Sequence, residues 1–315
     1  MIRFGILGLG NISRRVAIGI KNAKGCLLVG GASSQIEKSE RFKDEFHLEK
    51  AYGSYDELFL DPSIDAIYVC TPNSTHYDFI KKGLTHMKHI LCEKPMVLST
   101  QQLDELFDLA KDNNVFLMEA HKTVFTPLNQ YLLEIIQQGT IGLLKAITAE
   151  YSHNVFEEHP DLNHWVFNSE TGGCSADVGV YPIVFANAIA NSPILKHCSE
   201  KLYIKDVLCD VGIRSQIEYE NGVVATIQSD WLHTPKSKGS ALIVGDRGSI
   251  QVDAFWKNTS ATITTKEGSY TVVKEHVSEF SGQVEHACEC IEKGLHESPV
   301  FGRNESKEIL RVLNK

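Results

Sequence analysis

The fold is decided by residues 2–13, "IRFGILGLGNIS". Their first half is a short apolar run that predicts a buried strand, and a helical pattern follows their second half. Between the two, Gly8 and Gly10 take the first positions of a G-x-G-x-x-G pattern, with Ser13 at the third. Such glycines permit a tight turn and let backbone N–H groups approach a pyrophosphate at the helix N-terminus. Because a strand precedes and a helix follows, the pattern predicts a dinucleotide-binding turn rather than a glycine turn without a ligand.

Apolar runs alternate with helical patterns from this strand to about residue 120. Further buried strands are predicted at 26–33, 65–72, 88–95 and 115–120. Strands that are apolar on both faces and alternate with helices favour a parallel sheet covered on each side. We therefore predict the α/β class, with residues 1–120 forming a doubly wound Rossmann dinucleotide-binding domain.

The pattern changes after residue 120. Residues 217–231, "IEYENGVVATIQSDW", read as two strands joined at Asn221-Gly222, a strong hairpin signal. Runs within 201–273 repeat the alternation, and Glu267-Gly268 is a further predicted turn. Residues 121–315 are therefore predicted to be an α+β domain with a mostly antiparallel sheet. Its helices are predicted at 126–138, 179–190, 281–294 and 302–315.

Composition excludes several classes of protein. The chain has 315 residues, of which 43% are hydrophobic and 23% charged, so it is globular, and its net charge of −9 argues against nucleic-acid binding. No apolar run reaches the roughly 18 residues that span a bilayer. The N-terminus lacks the pattern of a secretory signal, so a cytoplasmic protein is expected. Eight scattered cysteines are expected to be buried free thiols, and no metal site is expected.

Two serines bear on the choice of cofactor. An acidic residue about 20 residues after the glycine turn would bind the ribose 2′-OH of NAD. This chain has Ser33 and Ser34 there, and no carboxylate before Glu37. Two hydroxyls with Lys38 nearby could accept a 2′-phosphate, which favours NADP slightly and leaves NAD open. The serines could also simply cap the next helix.

Four motifs together resemble a known family. The chain is similar to the family named after glucose-fructose oxidoreductase, inositol dehydrogenase and rhizopine catabolism protein (Gfo/Idh/MocA), and most to its dihydrodiol dehydrogenase and glucose-fructose oxidoreductase branch. The resemblance implies a Rossmann domain followed by an open-faced sheet domain, and NAD(P)-dependent oxidation or reduction of a sugar, cyclitol or diol. It also implies a homodimer or homotetramer built through that sheet. The motifs are "GLGNIS" (8–13), "CTPNSTH" (70–76), "LCEKP" (91–95) and "GGCSADVGVYPI" (172–183).

The resemblance also implies which residues bind the cofactor. In relatives an arginine stands where this chain has His164, and His121 with Lys122 replaces a stretch that ends in arginine, so a different substrate is expected. The implied pyrophosphate contacts are Gly8, Gly10, Asn11 and Ile12, and the implied ribose contacts are Ser33, Ser34 and the nearby Lys38. The remaining implied cofactor contacts are Thr71, Pro72, Asn73, His76, Glu93, Lys94 and Trp165.

Three residues are the predicted catalytic group. The ammonium of Lys94 can hydrogen-bond the reacting oxygen and stabilise charge that develops on it. Tyr181 offers a phenol for proton transfer, and Asp177, four residues earlier, can orient it from one face of a helix. Which of Lys94 and Tyr181 carries the proton stays open.

Each of these assignments has a plainer alternative. Asp177 could be a helix N-cap, and Tyr181 a core aromatic. His153 and the other histidines, apart from His76, are interpreted as packing or surface residues. The bond between Lys94 and Pro95 is predicted to be cis. A non-catalytic dinucleotide-binding sensor is the alternative function, and the joint presence of the three catalytic candidates favours an enzyme.

Overall fold

A computed structural model describes residues 1–232 and 238–313 of the chain. They form two compact units. The first contains Met1–Lys122 and Val277–Lys307, and the second contains Thr123–His276 and 308–313. The predicted boundary at residue 120 lies close to Lys122, but Val277–Lys307, predicted in the second domain, belongs to the first unit. Parts of two predicted segments, residues 233–237 and 314–315, lie outside the described residues.

Six parallel strands form the sheet of the first unit. They are β1 (Ile2–Leu7), β2 (Cys26–Ala32), β3 (Lys50–Tyr52), β4 (Ala66–Val69), β5 (His89–Glu93) and β6 (Leu117–Ala120). Their order is β3-β2-β1-β4-β5-β6. Strands β2 and β3 therefore extend the sheet on one side of β1, and β4, β5 and β6 extend it on the other side, so the strand order reverses between β1 and β4. Ligands of doubly wound folds bind at the carboxyl ends of the strands beside such a reversal. The predicted Rossmann architecture is confirmed, with β3 as an additional short edge strand.

The helices of the first unit include one from the C-terminal part of the chain. A Cβ on Gly19 would lie 2.5 Å from the Cβ of Phe280, and the Ser281 hydroxyl donates to the Gly19 carbonyl at 3.1 Å. This close approach explains why Val277–Lys307 packs into the first unit. These helices are α1 (Asn11–Asn22), α2 (Ile36–Phe46), α3 (Tyr55–Leu60), α4 (His76–Thr85), α5 (Thr100–Asp112) and α10 (Ser281–Glu292). Two more helices contain residues of both units, α6 (Lys122–Phe125) and α11 (Arg303–Leu313).

An eight-stranded sheet dominates the second unit. Its strands are β7 (Leu144–Ser152), β8 (Ile194–Leu202), β9 (Gly212–Tyr219), β10 (Val224–Asp230), β11 (Lys238–Gly245), β12 (Gly248–Asp253), β13 (Ser260–Thr265) and β14 (Gly268–Val273). The order is β14-β13-β12-β11-β7-β10-β9-β8, and only the pair β7 and β10 is parallel. The hairpin predicted at Asn221-Gly222 is confirmed, with Gly222 at a φ of +83°. The turn predicted at Glu267-Gly268 joins β13 to β14.

Helices cover one face of this second sheet. The apolar helix α9 packs against β7, where Ile147 and Ala149 are buried. The helices of this unit are α7 (Pro127–Gln137), α8 (Val155–Glu158) and α9 (Val180–Ala190). In residues 1–232 and 238–313, no helix combines the length and apolar character needed to cross a bilayer.

All eight cysteines are free thiols. Six of them are buried as predicted, whereas Cys198 is exposed and Cys26 is half-buried. Over the described part of the chain, no group of three or more His, Cys, Asp or Glu side chains is placed to hold a metal ion.

Candidate dinucleotide site and catalytic residues

The glycine turn leaves the N-terminus of α1 uncapped and open. Gly10 is the N-cap of α1 and makes no side-chain hydrogen bond, and Asn11 and Ile12 follow as the first helical residues. A Cβ on Gly10 would meet no heavy atom within 4 Å, so there is free space in front of the helix. Gly8 has a φ of +91°, and a Cβ there would lie 2.6 Å from Cγ2 of Thr71. Free N–H groups at a helix N-terminus attract phosphate, so the turn fits a pyrophosphate.

The end of β2 carries the predicted ribose contacts. Ser33 is buried and its hydroxyl accepts from the backbone N–H of Gln35 at 3.3 Å, while Ser34 is exposed. Gln35 is the N-cap of α2, so neither serine caps that helix. Lys38 is half-buried in α2, and the first acidic residue of the helix, Glu37, is exposed. Along the chain after β2, the two serine hydroxyls therefore come before the first carboxylate, as the sequence predicts.

His76, a predicted cofactor contact, is buried and its ring contacts the protein backbone. Its side chain is only 1% exposed. One ring nitrogen lies 2.8 Å from the Thr71 carbonyl oxygen and the other 2.9 Å from that of Pro95. Burial lowers the pKa of His76, although both carbonyl contacts oppose this. His76 thus connects two loops at the carboxyl edge of the sheet, those of Thr71–Asn73 and Lys94–Pro95.

The Glu-Lys-Pro motif lies at the carboxyl end of β5. The carboxylate of Glu93 accepts from the Tyr68 hydroxyl at 2.8 Å, and the Gln283 side-chain amide donates to the same hydroxyl at 2.8 Å. Lys94 follows and is half-buried. The Lys94–Pro95 bond is cis, which confirms the prediction. Glu93 is therefore held by its hydrogen bond to Tyr68. The next residue, Lys94, is the one predicted to contact the reacting oxygen.

A buried carboxylate that the sequence analysis overlooked supports this loop. Glu119, in β6, accepts from the backbone N–H of Met96 at 2.9 Å and from the Ser306 hydroxyl at 2.5 Å. Nε2 of His121 lies 3.3 Å from the same carboxylate. Burial opposes ionisation, but His121 and these hydrogen bonds outweigh it and lower the pKa of Glu119. A charged residue inside the apolar run "VFLMEA" is the sequence signal that could have identified it.

Lys122 belongs to a second buried charge cluster of the first unit. Its ammonium lies 3.2 Å from the Glu279 carboxylate, which also pairs with Arg15, and it stands 4.6 Å above the ring of Phe280. Burial, with the nearby Arg15, lowers the pKa of Lys122 to about 8. Burial alone would raise the pKa of Glu279, but Lys122 and Arg15 outweigh it and hold that pKa at about 2.

Glu279→Gln is expected to destabilise the protein by about 2 kcal/mol at pH 7, after allowing for screening on the Arg15 side. Since the pKa of Glu279 falls from its ordinary 4.5 to about 2 on folding, the stabilisation is complete above pH 4.5. It is lost as the pH falls towards 2. Urea unfolding at a series of pH values measures the effect. Glu45→Gln is the matched control, because Glu45 pairs with the neighbouring Arg14 at an exposed site; equal losses for the two variants would contradict the prediction.

In the second unit, Asp177 lies in a π-helical turn, Ser175–Gly179, that runs directly into α9. Tyr181 is in the first turn of α9 and is partly buried. The N-cap of α9 is Gly179, so Asp177 does not cap this helix. Turns of this kind occur often at functional sites.

Asp210 organises the start of this turn and was also overlooked. Its carboxylate accepts from the backbone N–H of Ser175 at 2.7 Å and from the Ser175 hydroxyl at 2.8 Å. Gly173 has a φ of +100°, and a Cβ there would lie 2.5 Å from the same carboxylate. Gly173, the second glycine of the pair, is thus required by the close approach of Asp210 and by its backbone conformation.

The structure brings His153, which was interpreted as a packing residue, to the predicted catalytic pair. Its Nε2 atom is 3.9 Å from Oδ2 of Asp177, and its side chain is buried, with 9% exposed. The ring of Tyr151 contacts that of Tyr181, with centroids 5.6 Å apart. Asp177 and Tyr181 therefore lie in one aromatic and histidine-containing cluster. Trp165 lies on a separate short helix, Trp165–Phe167, and is 44% exposed.

Fold and site together define a class. A Rossmann sheet with an open glycine turn, a Glu-Lys-Pro loop at the same carboxyl edge and a separate α+β unit is typical of dinucleotide-dependent oxidoreductases. Residues 2–121 match the family described as "Oxidoreductase family, NAD-binding Rossmann fold", and residues 129–251 match the "GFO/IDH/MocA C-terminal domain". The chain belongs to the Gfo/Idh/MocA family of oxidoreductases.

Known proteins are similar over almost the whole chain. The trans-1,2-dihydrobenzene-1,2-diol dehydrogenase of Xenopus tropicalis is 30% identical over 99% of this chain and 96% of its own length. The D-xylose 1-dehydrogenase (NADP(+)) 2 of Haloferax volcanii is 27% identical over 99% of this chain and 95% of its own. The solved aldose-aldose oxidoreductase from Caulobacter crescentus has the same fold, with a TM-score of 0.86, 21% identity and coverage of 99% and 95% of the two chains. These relatives support the enzyme interpretation and give no support to a non-catalytic sensor.

Proposed function

We propose that this protein transfers a hydride between NADP and a hydroxyl-bearing carbon of a diol or sugar. The observation that carries the proposal is the half-buried Lys94 at the carboxyl end of β5, in the same unit as an open, uncapped glycine turn. The relatives support it, because one is named for a vicinal diol and another for a sugar and NADP(+). A sugar-related cyclitol has the same reacting group and belongs to the same proposal.

Three residues share the chemistry in this proposal. The nicotinamide supplies hydride transfer when it is bound. The ammonium of Lys94 donates a hydrogen bond to the substrate oxygen and stabilises the charge that develops on it during oxidation. The hydroxyl proton passes either to the neutral amine of Lys94, which thereby becomes the ammonium, or to the phenolate of Tyr181 beside a Lys94 that is already charged, and Asp177 orients the acid–base group. His153, 3.9 Å from Asp177, is a positioning residue for that carboxylate.

The proposed cofactor contacts of the first unit follow the ends of four strands, β1, β2, β4 and β5. The first-turn N–H groups of α1, at Asn11 and Ile12, hold the pyrophosphate behind Gly8 and Gly10. Ser33, Ser34 and Lys38 receive the ribose and its 2′-phosphate. The loop of Thr71, Pro72 and Asn73 lines the cofactor, and the strand end of Glu93 and Lys94 lies next to the nicotinamide. Trp165 is the proposed contact from the second unit.

Ser34→Asp is expected to raise KM for NADP at least about tenfold, because a carboxylate near a phosphate costs on the order of 1.4 kcal/mol or more. KM for NAD should change much less. Steady-state kinetics with both cofactors measures the ratio. Ser54→Asp is the control, since Ser54 is the N-cap of α3, where aspartate is an equally good cap and adds the same charge. An unchanged KM for NADP would place the 2′-phosphate elsewhere.

We further propose that the protein is cytoplasmic and forms a homodimer or homotetramer through the open face of its second sheet. An exposed row of side chains without formal charge crosses that face in register, so no like charges along this row oppose contact with the same face of a second copy. The row consists of Thr226, Thr148, Leu242, Gln251 and Thr262.

A further inference from the structure

The peptide group between Pro95 and Met96, just after Lys94, is held at both of its polar atoms by buried side chains. Nδ1 of His76 lies 2.9 Å from the Pro95 carbonyl oxygen. The Met96 N–H donates to Oε1 of Glu119 at 2.9 Å. Because proline has no N–H, that of Met96 is the first backbone donor after Lys94. The peptide group that follows Lys94 is therefore fixed at one end by a histidine and at the other by a carboxylate.

The carboxylate of Glu119 is itself held in place from several sides. Glu119 lies in β6 and is paired in register with Cys92 of β5, four residues before Met96. The Ser306 hydroxyl donates to Oε2 of Glu119 at 2.5 Å, and Nε2 of His121 lies 3.3 Å from Oε1. Glu119, His121 and Ser306 are all buried. Strand β5 and the loop after it are thus tied to β6 at two places, at Cys92 by strand pairing and at Met96 by the Glu119 side chain.

The place of this peptide group in the loop gives the contact a consequence beyond stability. A buried N–H needs an acceptor in any fold, so the hydrogen bond from Met96 stabilises the protein in any case. Peptide groups are planar and the proline ring fixes φ, so ψ of Pro95 is the only soft dihedral between the held peptide group and that of Lys94. A displacement of about 1 Å at a reacting group can cost about 100-fold in rate. Loss of the Glu119 contact is therefore expected to misplace Lys94.

We propose that Glu119 is a positioning residue for Lys94, an inference that rests on the proposed function, in which Lys94 contacts the reacting oxygen. Glu119 fixes the Pro95–Met96 peptide group, and this group fixes the point from which the Lys94 side chain extends. A backbone N–H can donate to an amide oxygen as well as to a carboxylate. The loop therefore requires the reach of the Glu119 side chain more than its charge.

Two conservative variants separate the reach of this side chain from its charge. Glu119→Gln keeps an oxygen that can accept from Met96, and the Ser306 hydroxyl can accept from its amide, so kcat should stay within about threefold. Glu119→Asp keeps the charge but is shorter by one C–C bond, about 1.5 Å, and the pairing of β6 prevents the backbone from following. Its kcat should fall about 10- to 100-fold, with KM for NADP changed by less than about threefold. Full kcat in Glu119→Asp with a loss in Glu119→Gln would overturn the proposal.

Hydrogen exchange of the full chain, followed by mass spectrometry, tests the contact without any substrate. Peptides that cover residues 91–98 should exchange faster in Glu119→Asp, because the Met96 N–H loses its acceptor, and at the wild-type rate in Glu119→Gln. Asp61→Ala is the control for a general loss of stability. The Asp61 carboxylate accepts from the Tyr52 hydroxyl at 2.7 Å, and Asp61 lies between α3 and the amino end of β4, away from the loop. It should lower the Tm without changing kcat or this exchange. Unchanged exchange in Glu119→Asp would overturn the proposal.

A double-mutant cycle then shows whether Glu119 acts through Lys94. In a Lys94→Ala background, Glu119→Asp should lower kcat by less than about threefold further, because the group that it positions is already absent. A merely structural role would lower kcat by the same factor in both backgrounds, and that result would overturn the inference. A wild type without turnover, or Lys94→Ala with full turnover, would instead contradict the proposed function. The failure of the inference and the failure of the proposed function are therefore distinguishable.

Discussion

Lys94→Ala is expected to lower turnover by about 100- to 10,000-fold, the range that general acid–base and electrostatic groups supply. The physical reason is that the variant has no cation to meet the developing charge on the substrate oxygen. Cofactor affinity should change by less than about threefold, because the uncapped N-terminus of α1 and the end of β2 hold the pyrophosphate and the adenosine in this proposal. Turnover is measured by the absorbance of reduced nicotinamide, and affinity by fluorescence titration with NADPH.

Lys81→Ala is the matched control for Lys94. Lys81 is an exposed lysine of α4 in the same unit, and its ammonium pairs with Glu105 at 2.6 Å. Removing such an exposed pair has little effect on stability and should have none on turnover. If Lys94→Ala kept the turnover of the wild type, Lys94 would have no catalytic role, even if the hydride reaction itself were demonstrated.

Tyr181→Phe carries the second large expected effect, a loss of about 100-fold or more in turnover if its phenol moves the proton. The substitution keeps the ring and its contact with Tyr151, so the fold of the second unit should not change. The pH dependence of kcat separates the two proton carriers. If Tyr181 accepts the proton during oxidation, the variant loses the acidic limb of the profile, along which the wild-type rate rises with pH. If Lys94 accepts it, that limb stays and only the height of the profile falls.

Tyr131→Phe is the control for this substitution. Tyr131 lies in α7 of the same unit, and Lys274 stands 4.0 Å above its ring, a contact that phenylalanine preserves. Unchanged turnover and an unchanged pH profile in Tyr181→Phe would mean that Tyr181 only packs in the aromatic cluster and takes no part in proton transfer. The control should match the wild type in either case.

Local patterns predicted the elements whose signals are themselves local. Buried parallel strands show as apolar runs, and the Asn221-Gly222 turn depends on two adjacent residues, so both were correctly predicted. The cis bond before Pro95 was also correctly predicted. By contrast, β3 has only three residues, too few to show an alternating pattern. The π-helical turn at Ser175–Gly179 has no distinctive periodicity, and only coordinates reveal it.

Long-range packing explains what the sequence could not show. The place of Val277–Lys307 in the first unit depends on the fit of Phe280 against Gly19, residues separated by most of the chain. Glu119 and Asp210 were overlooked for the same reason, since their partners are distant in sequence. His76 stays a predicted cofactor contact, and its motif did not show that both of its ring nitrogens contact backbone carbonyls.

The central claim is tested most directly by one measurement, the absorbance of reduced nicotinamide when the protein is mixed with NADP and a panel of vicinal diols, aldoses and inositols. We expect an increase with at least one diol or sugar, faster with NADP than with NAD, and its loss in Lys94→Ala. No change with any member of the panel under either cofactor, in a protein that binds NADPH, would contradict the proposed reaction.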